Sequence, residues 1–175
     1  QTVNRWIVGE VAKCEAEVSK QLGAYRFNEA SNTLYQFAWG TFCDWYLEFC
    51  KPLLNSDDAA LKAEPQATAG WVLDPILLML HPFMPFVTEE LWGALAEDRP
   101  ADLIRSQWPV YPDGIVDEGV AKELDWVVRL ITGARSVRSE MNIPAAAKIP
   151  MILKGAGSTA ASWLQTHEPL ILRLA

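Results

Sequence analysis

Arg5 and Trp6, followed by Tyr25, Arg26, Phe27 and Asn28, place cations, rings and an amide near one another in a chain with little other reactive chemistry. Rings stack on an unpaired base, an amide reads its edge and a guanidinium holds phosphate, which is how looped-out single-stranded RNA is usually read. Arg135 and Arg138, three apart on one helical face, form a second pair able to hold phosphate. A plain structural reading exists for the same residues. Tyr25 and Phe27 would staple the entrance of a helix, and the arginines would simply be solvated. Spacing alone leaves both readings open.

Catalysis has less support. His81 stands among Leu80, Pro82 and Phe83, where a histidine at a helix end serves as a hydrogen-bonded structural residue, and His167 beside Glu168 reads as solvated. Glu89 and Glu90 are adjacent, so on a helix they diverge by about 100° and cannot flank one bond. Phosphate-binding glycine loops, a zinc-protease helix and a nucleophile elbow are all missing from the sequence. Cys14, Cys43 and Cys50 form no C-x-x-C pair and read as reduced core thiols, which suits a cytoplasmic setting. No catalytic residue, metal ligand or cofactor set is assigned.

A formal net charge of −7 argues against gripping nucleic acid by bulk electrostatics, so any contact with it must be local. "RLITGARSVRSEM" is such a locally basic stretch. The longest apolar run, Pro75 to Phe86, is broken by prolines and too short to cross a bilayer, and no secretory signal opens the chain. No membrane partner is expected. The chain begins at Gln1 without methionine, which reads as a piece of a longer protein.

These residues must be positioned by helices. Val3, Ile7, Val11, Cys14, Val18 and Leu22 make one amphipathic stripe, closed by Gly23. A second helix from about Phe27 presents Ala30, Leu34, Phe37, Thr41, Trp45 and Phe49, and Pro52 should stop it. Asn55 to Gly70, small and polar, reads as a surface connection, with a third helix from Thr68 to His81 bent or delayed by Pro75. Pro82 and Pro85 end that helix, and Thr88 caps a fourth running to about Ala96. Phe83, Met84 and Phe86 are expected to plug the corner, so that Phe86→Ser would lower thermal stability. Trp108 and Tyr111 should pin the broken segment that follows, and a fifth helix spans Glu118 to Glu140. Lys148 to Lys154 alternates like an edge strand with Pro150 inside, and Ser158 to Thr166 and Pro169 to Ala175 read as two short helices. The fold class is mainly α: a helical bundle over residues 1–117, with a small, incomplete α/β appendage over 118–175.

Three segments carry a family resemblance. "LHPFMPFVTEELW", Leu80 to Trp92, is similar to the anticodon-binding helical domains of class I aminoacyl-tRNA synthetases for valine, isoleucine and leucine. "YRFNEASNTLYQFAWGTFCDWYLEFCKPLL" and "GARSVRSEMNIP" resemble the valyl branch. The resemblance implies a non-catalytic piece of a valine–tRNA ligase that docks the anticodon arm of tRNA(Val). The expected contacts are Arg5, Arg26, Phe27 and Asn28 at one end of the bundle, with Arg135 and Arg138. The parent enzyme would use ATP with Mg2+, its catalytic and editing domains would be the intramolecular partners, and the fragment would be a monomer. Valyl enzymes commonly continue into a coiled coil, and the strand at Lys148 to Lys154 there pairs with a later segment; neither is in this sequence. Ala145 replaces a usual proline, which should loosen that turn, and Pro75 replaces a helix former. The alternative is a helical protein-interaction module using the edge strand; a small helical enzyme ranks last.

Overall fold

Five residues separate Phe37 from Phe42, and that interval shows how the central helix is wound. The computed structural model describes residues 1–144 and 146–175, so the expected loosening at Ala145 lies outside the described residues. The chain divides into two units, Gln1–Glu118 and Gly119–Ala175.

In the first unit, helix α1 (Thr2–Gly23) buries Ile7, Val11 and Val18 completely, each contributing roughly 1.5–3 kcal/mol. The second helix is continuous through α2 (Phe27–Tyr35), a π-helical stretch (Gln36–Leu47) and α3 (Glu48–Leu54). Its buried side chains are Ala30, Leu34, Phe37, Phe42, Tyr46, Phe49 and Cys50. An unbroken α period would place Thr41 and Trp45 inward. The wider i→i+5 winding moves the inward register one residue along, to Phe42 and Tyr46, whose rings stack at 5.6 Å. Pro52 does not stop the helix, because its fixed φ suits helical backbone and only one hydrogen bond near the end is lost.

Residues 55–70 are not the surface connection their composition suggests. Asp58 accepts from the Ala60 amide at 2.9 Å and starts helix α4 (Ala59–Leu80), which runs through both Pro65 and Pro75. Ala59, Ala60, Ala63 and Ala67 are exposed, and they suit this stretch because alanine has the highest helix propensity.

The corner after α4 also differs from expectation. Phe83 and Met84 amides both close on the Leu80 carbonyl, and Pro85 takes the first position of helix α5 (Pro85–Leu95), where its missing N–H costs nothing. Thr88 therefore lies inside the first turn and is buried, donating to the Met84 carbonyl at 2.8 Å, with His81 Nδ1 also at 2.8 Å. Starting the helix at Pro85 turns Phe86 outward, where it is 90% exposed. Phe86 is no plug. Phe86→Ser is expected to leave the melting temperature within about 2 °C of the parent by calorimetry, as for surface changes generally.

Glu89 accepts from the Leu103 amide at 2.7 Å and the Ile104 amide at 3.2 Å, holding a short 3-10 turn (Leu103–Arg105) beside α5. Arg99 forks onto Asp74, both contacts 2.8 Å, while its guanidinium lies 3.7 Å above the Trp92 ring. Trp108 donates to Glu15 and Ser19 of α1 at 3.0 and 2.8 Å, and Tyr111 packs on Trp71 at 5.8 Å. The proline-rich segment is thereby fastened to the bundle at both aromatic positions.

In the second unit, helix α6 (Glu118–Glu140) buries Val120, Leu124, Val127 and Ile131, and helix α7 (Ser158–Leu174) buries Ile171 and Leu174. α7 is one helix and not two, since Pro169 sits inside it and the buried residues on either side hold it together. His167 is not solvated. It is 5% exposed, with Nε2 2.6 Å from Glu123 Oε1. Residues 148–154 form no strand, because no described residue supplies a ladder partner and Pro150 has no N–H to give. The mainly α class stands without that strand, and the edge-strand interaction module loses its basis. Among the described residues, no helix is long and apolar enough to cross a membrane.

Candidate functional site

The first unit has two distinct ends, fixed by a buried polar cluster at one of them. Asn4 donates to Glu64 at 2.8 Å, and the Tyr46 hydroxyl lies 3.0 Å from Asn4 Oδ1 and 3.3 Å from the Pro65 carbonyl. From that level α1 runs to Gly23, the second helix runs back to Phe27 and α4 runs to Leu80. At about 1.5 Å per residue, the paths cover roughly 22–29 Å. The α1–α2 turn and the α4–α5 corner therefore share the opposite end, where Ser31 and Tyr35 line a common groove with Leu80, Phe83 and Met84.

The turn between α1 and α2 forms a rim at this end. The Tyr25 amide bonds the Leu22 carbonyl at 3.0 Å and the Arg26 amide bonds the Gln21 carbonyl at 2.9 Å. This closure puts Tyr25 at φ 60, the left-handed region, on a residue whose Cβ disfavours it. Tyr25 is 82% exposed and its ring meets the Phe27 edge at 6.4 Å, so the staple is slight and both rings keep open faces. Asn28 is exposed, and its carbonyl accepts from Ser31 Oγ at 3.0 Å. Arg26 reaches Glu29 at 3.4 Å in an exposed pair, which holds its guanidinium beside the rings at little energetic cost. Just below, hydrogen bonds from Lys20 and then Gln21 hold the Glu17 carboxyl below its usual range.

Arg5 does not join this rim. It lies on the first turns of α1, beside the polar cluster, and pairs with Asp117 at 3.2 Å. A helix as long as α1 keeps its two ends roughly 30 Å apart, so Arg5 and Phe27 cannot touch one trinucleotide loop. In the second unit, Arg135 Nε donates to the Leu174 carbonyl at 2.6 Å, and Arg138 donates to the Pro144 and Ala147 carbonyls at 3.0 and 3.1 Å. Both guanidinium groups fasten α6 to neighbouring backbone. Sequence reasoning missed the exposed Met84 and Phe86 at the rim's end; the signal was Pro85, which suits a helix start better than it suits a break.

Comparison with known proteins decides the family. The model described as "Anticodon-binding domain of tRNA ligase" matches residues 4–153. This chain belongs to that family. Among curated proteins, the valine–tRNA ligase of Caulobacter vibrioides is 49% identical over 178 residues, covering 100% of this chain and 20% of the relative. That of Zymomonas mobilis is 48% identical, covering 99% and 20%, and that of Rhizobium meliloti is 45% identical, covering 99% and 18%. The chain thus spans about a fifth of the length of these relatives. In this anticodon-binding domain the rim at Tyr25–Asn28 offers ring faces, an amide and a cation together to solvent.

Proposed function

We propose that this anticodon-binding domain docks the anticodon arm of tRNA(Val) through Arg26, Phe27 and Asn28, as part of a valine–tRNA ligase. The observation that carries this reading is the exposed rim, with Tyr25 held in a left-handed conformation so that rings and guanidinium face outward together. The relatives' names supply valine, and the rim supplies chemistry suited to unstacked bases. The longer chain attaches valine to its tRNA in the cytoplasm with ATP and Mg2+, acting as a monomer. In this reading the ATP and Mg2+ chemistry belongs to the catalytic region of that longer chain.

The test is a titration of labelled valine-specific tRNA and an unrelated tRNA at low salt. Affinity for the valine-specific tRNA should be about tenfold higher or more, and modest in absolute terms because the net charge is −7. Equal affinity for both tRNAs would defeat the reading.

A further inference from the structure

On one flank of the first unit, Tyr35, Ala38, Trp39 and Cys43 of the second helix face Leu80, Phe83 and Met84 across a groove of about 340 Å³. No charged side chain lines it. Trp39 and Tyr35 are each 59% exposed beside it, a large area of ring left in water. Met84 also begins a second apolar stripe, continued along α5 by Val87, Leu91 and Leu95, all about half exposed. These four positions fall within one side of the helix, adjacent to the buried side that carries Thr88 and Trp92. Groove and stripe together form one continuous apolar face. Contiguous apolar surface of this kind marks an interaction site.

We infer that this face is the seat on which the remaining part of the longer ligase chain packs, through an apolar and uncharged surface of its own. The inference rests on the proposal that this chain is part of such a ligase, but not on contact with tRNA. Three observations select the occupant. The relatives are about five times as long as this chain, so a large intramolecular partner is at hand at high effective concentration. The groove offers no cation for phosphate, and Ser31 and Tyr35 bring its only hydroxyls, which disfavours RNA. The π-helical winding of Gln36–Leu47 brings Ala38, Trp39 and Cys43 to the groove while Phe42 and Tyr46 stay inward, and such windings recur at functional positions.

Cys43 reports on the face directly. Burial pushes the Cys14 thiol up to about 12 and the Cys50 thiol up to about 11, so both react slowly and serve as internal blanks. The rate of Cys43 alkylation by N-ethylmaleimide, read by peptide mass spectrometry at one fixed pH, is compared between this 175-residue chain and the longer ligase. Cys43 in the longer chain should react about tenfold more slowly or less. Trp39→Asp in the longer chain should restore the faster rate, and Tyr35→Asp serves if Trp39→Asp lowers the melting temperature of the 175-residue chain. Equal rates in both chains would overturn the inference. Protection in the shorter chain that grows with its concentration would replace the occupant with a second copy, and protection appearing only on addition of tRNA would replace it with RNA. A failed tRNA titration leaves this measurement unaffected, so the two proposals fail separately.

Discussion

Tyr46→Ala is expected to destabilise the first unit by roughly 3–5 kcal/mol, as for a large aromatic truncated in a core. By the usual size scaling, that lowers the melting temperature by roughly 6–20 °C. Tyr46 is fully buried, and its hydroxyl joins α1 to α4 through Asn4 and the Pro65 carbonyl. Removing the side chain opens a cavity and strands the Asn4 amide oxygen together. Tyr46→Phe keeps the ring and should cost only about 1–2 kcal/mol, the price of an unsatisfied buried acceptor. Urea unfolding followed by tryptophan fluorescence separates the two variants, and a double-mutant cycle with Asn4→Ala isolates the hydrogen bond. Burial also holds the Tyr46 phenol well above its usual range. A raised folded value means that stability is complete below the unfolded phenol's value of about 10 and declines above it, where the unfolded chain gains by ionising. Tyr46→Phe should flatten that alkaline decline.

Phe27→Ala is expected to weaken binding of valine-specific tRNA by about 5- to 150-fold, the equivalent of losing one base stack worth roughly 1–3 kcal/mol. Phe27 is 56% exposed at the first position of α2, so alanine there leaves the fold intact and the loss is a binding loss. Arg26→Ala should reduce the salt dependence of affinity by about one phosphate contact. Arg5→Ala, at the far end of α1, should stay within about twofold and is the internal control. Should Arg5→Ala weaken binding while Phe27→Ala does not, the rim is the wrong surface.

The amphipathic stripes of α1 and α6 could be read directly from the sequence, because an ordinary α period carries them from end to end. The central helix was legible in outline, yet its inward register was not. Thr41 and Trp45 satisfy a 3.6-residue period, and only the one-residue step at the π turn gives the core Phe42 and Tyr46 instead. Proline misled in both directions. Pro65, Pro75 and Pro169 lie within helices that tertiary burial holds together, and Pro85 opens a helix that it was expected to precede. The candidate site was partly legible: the residue types at Tyr25–Asn28 suit base stacking, their exposure had to come from the structure, and the family segments pointed to an anticodon-binding domain. That Arg5 belongs to the opposite end depends on where the helices fold back, and residue spacing within one helix cannot show that.

The wide coil of Gln36–Leu47 has a consequence for how such chains change length. An i→i+5 ring accommodates one residue more than an i→i+4 ring, so this stretch can gain or lose a residue by switching winding. Leu34 before the stretch and Phe49 after it, both buried, would each keep their neighbours through the change. An insertion there is absorbed as slack, leaving the exposed turn at Tyr25–Asn28 and the polar cluster at Asn4 and Glu64 in place.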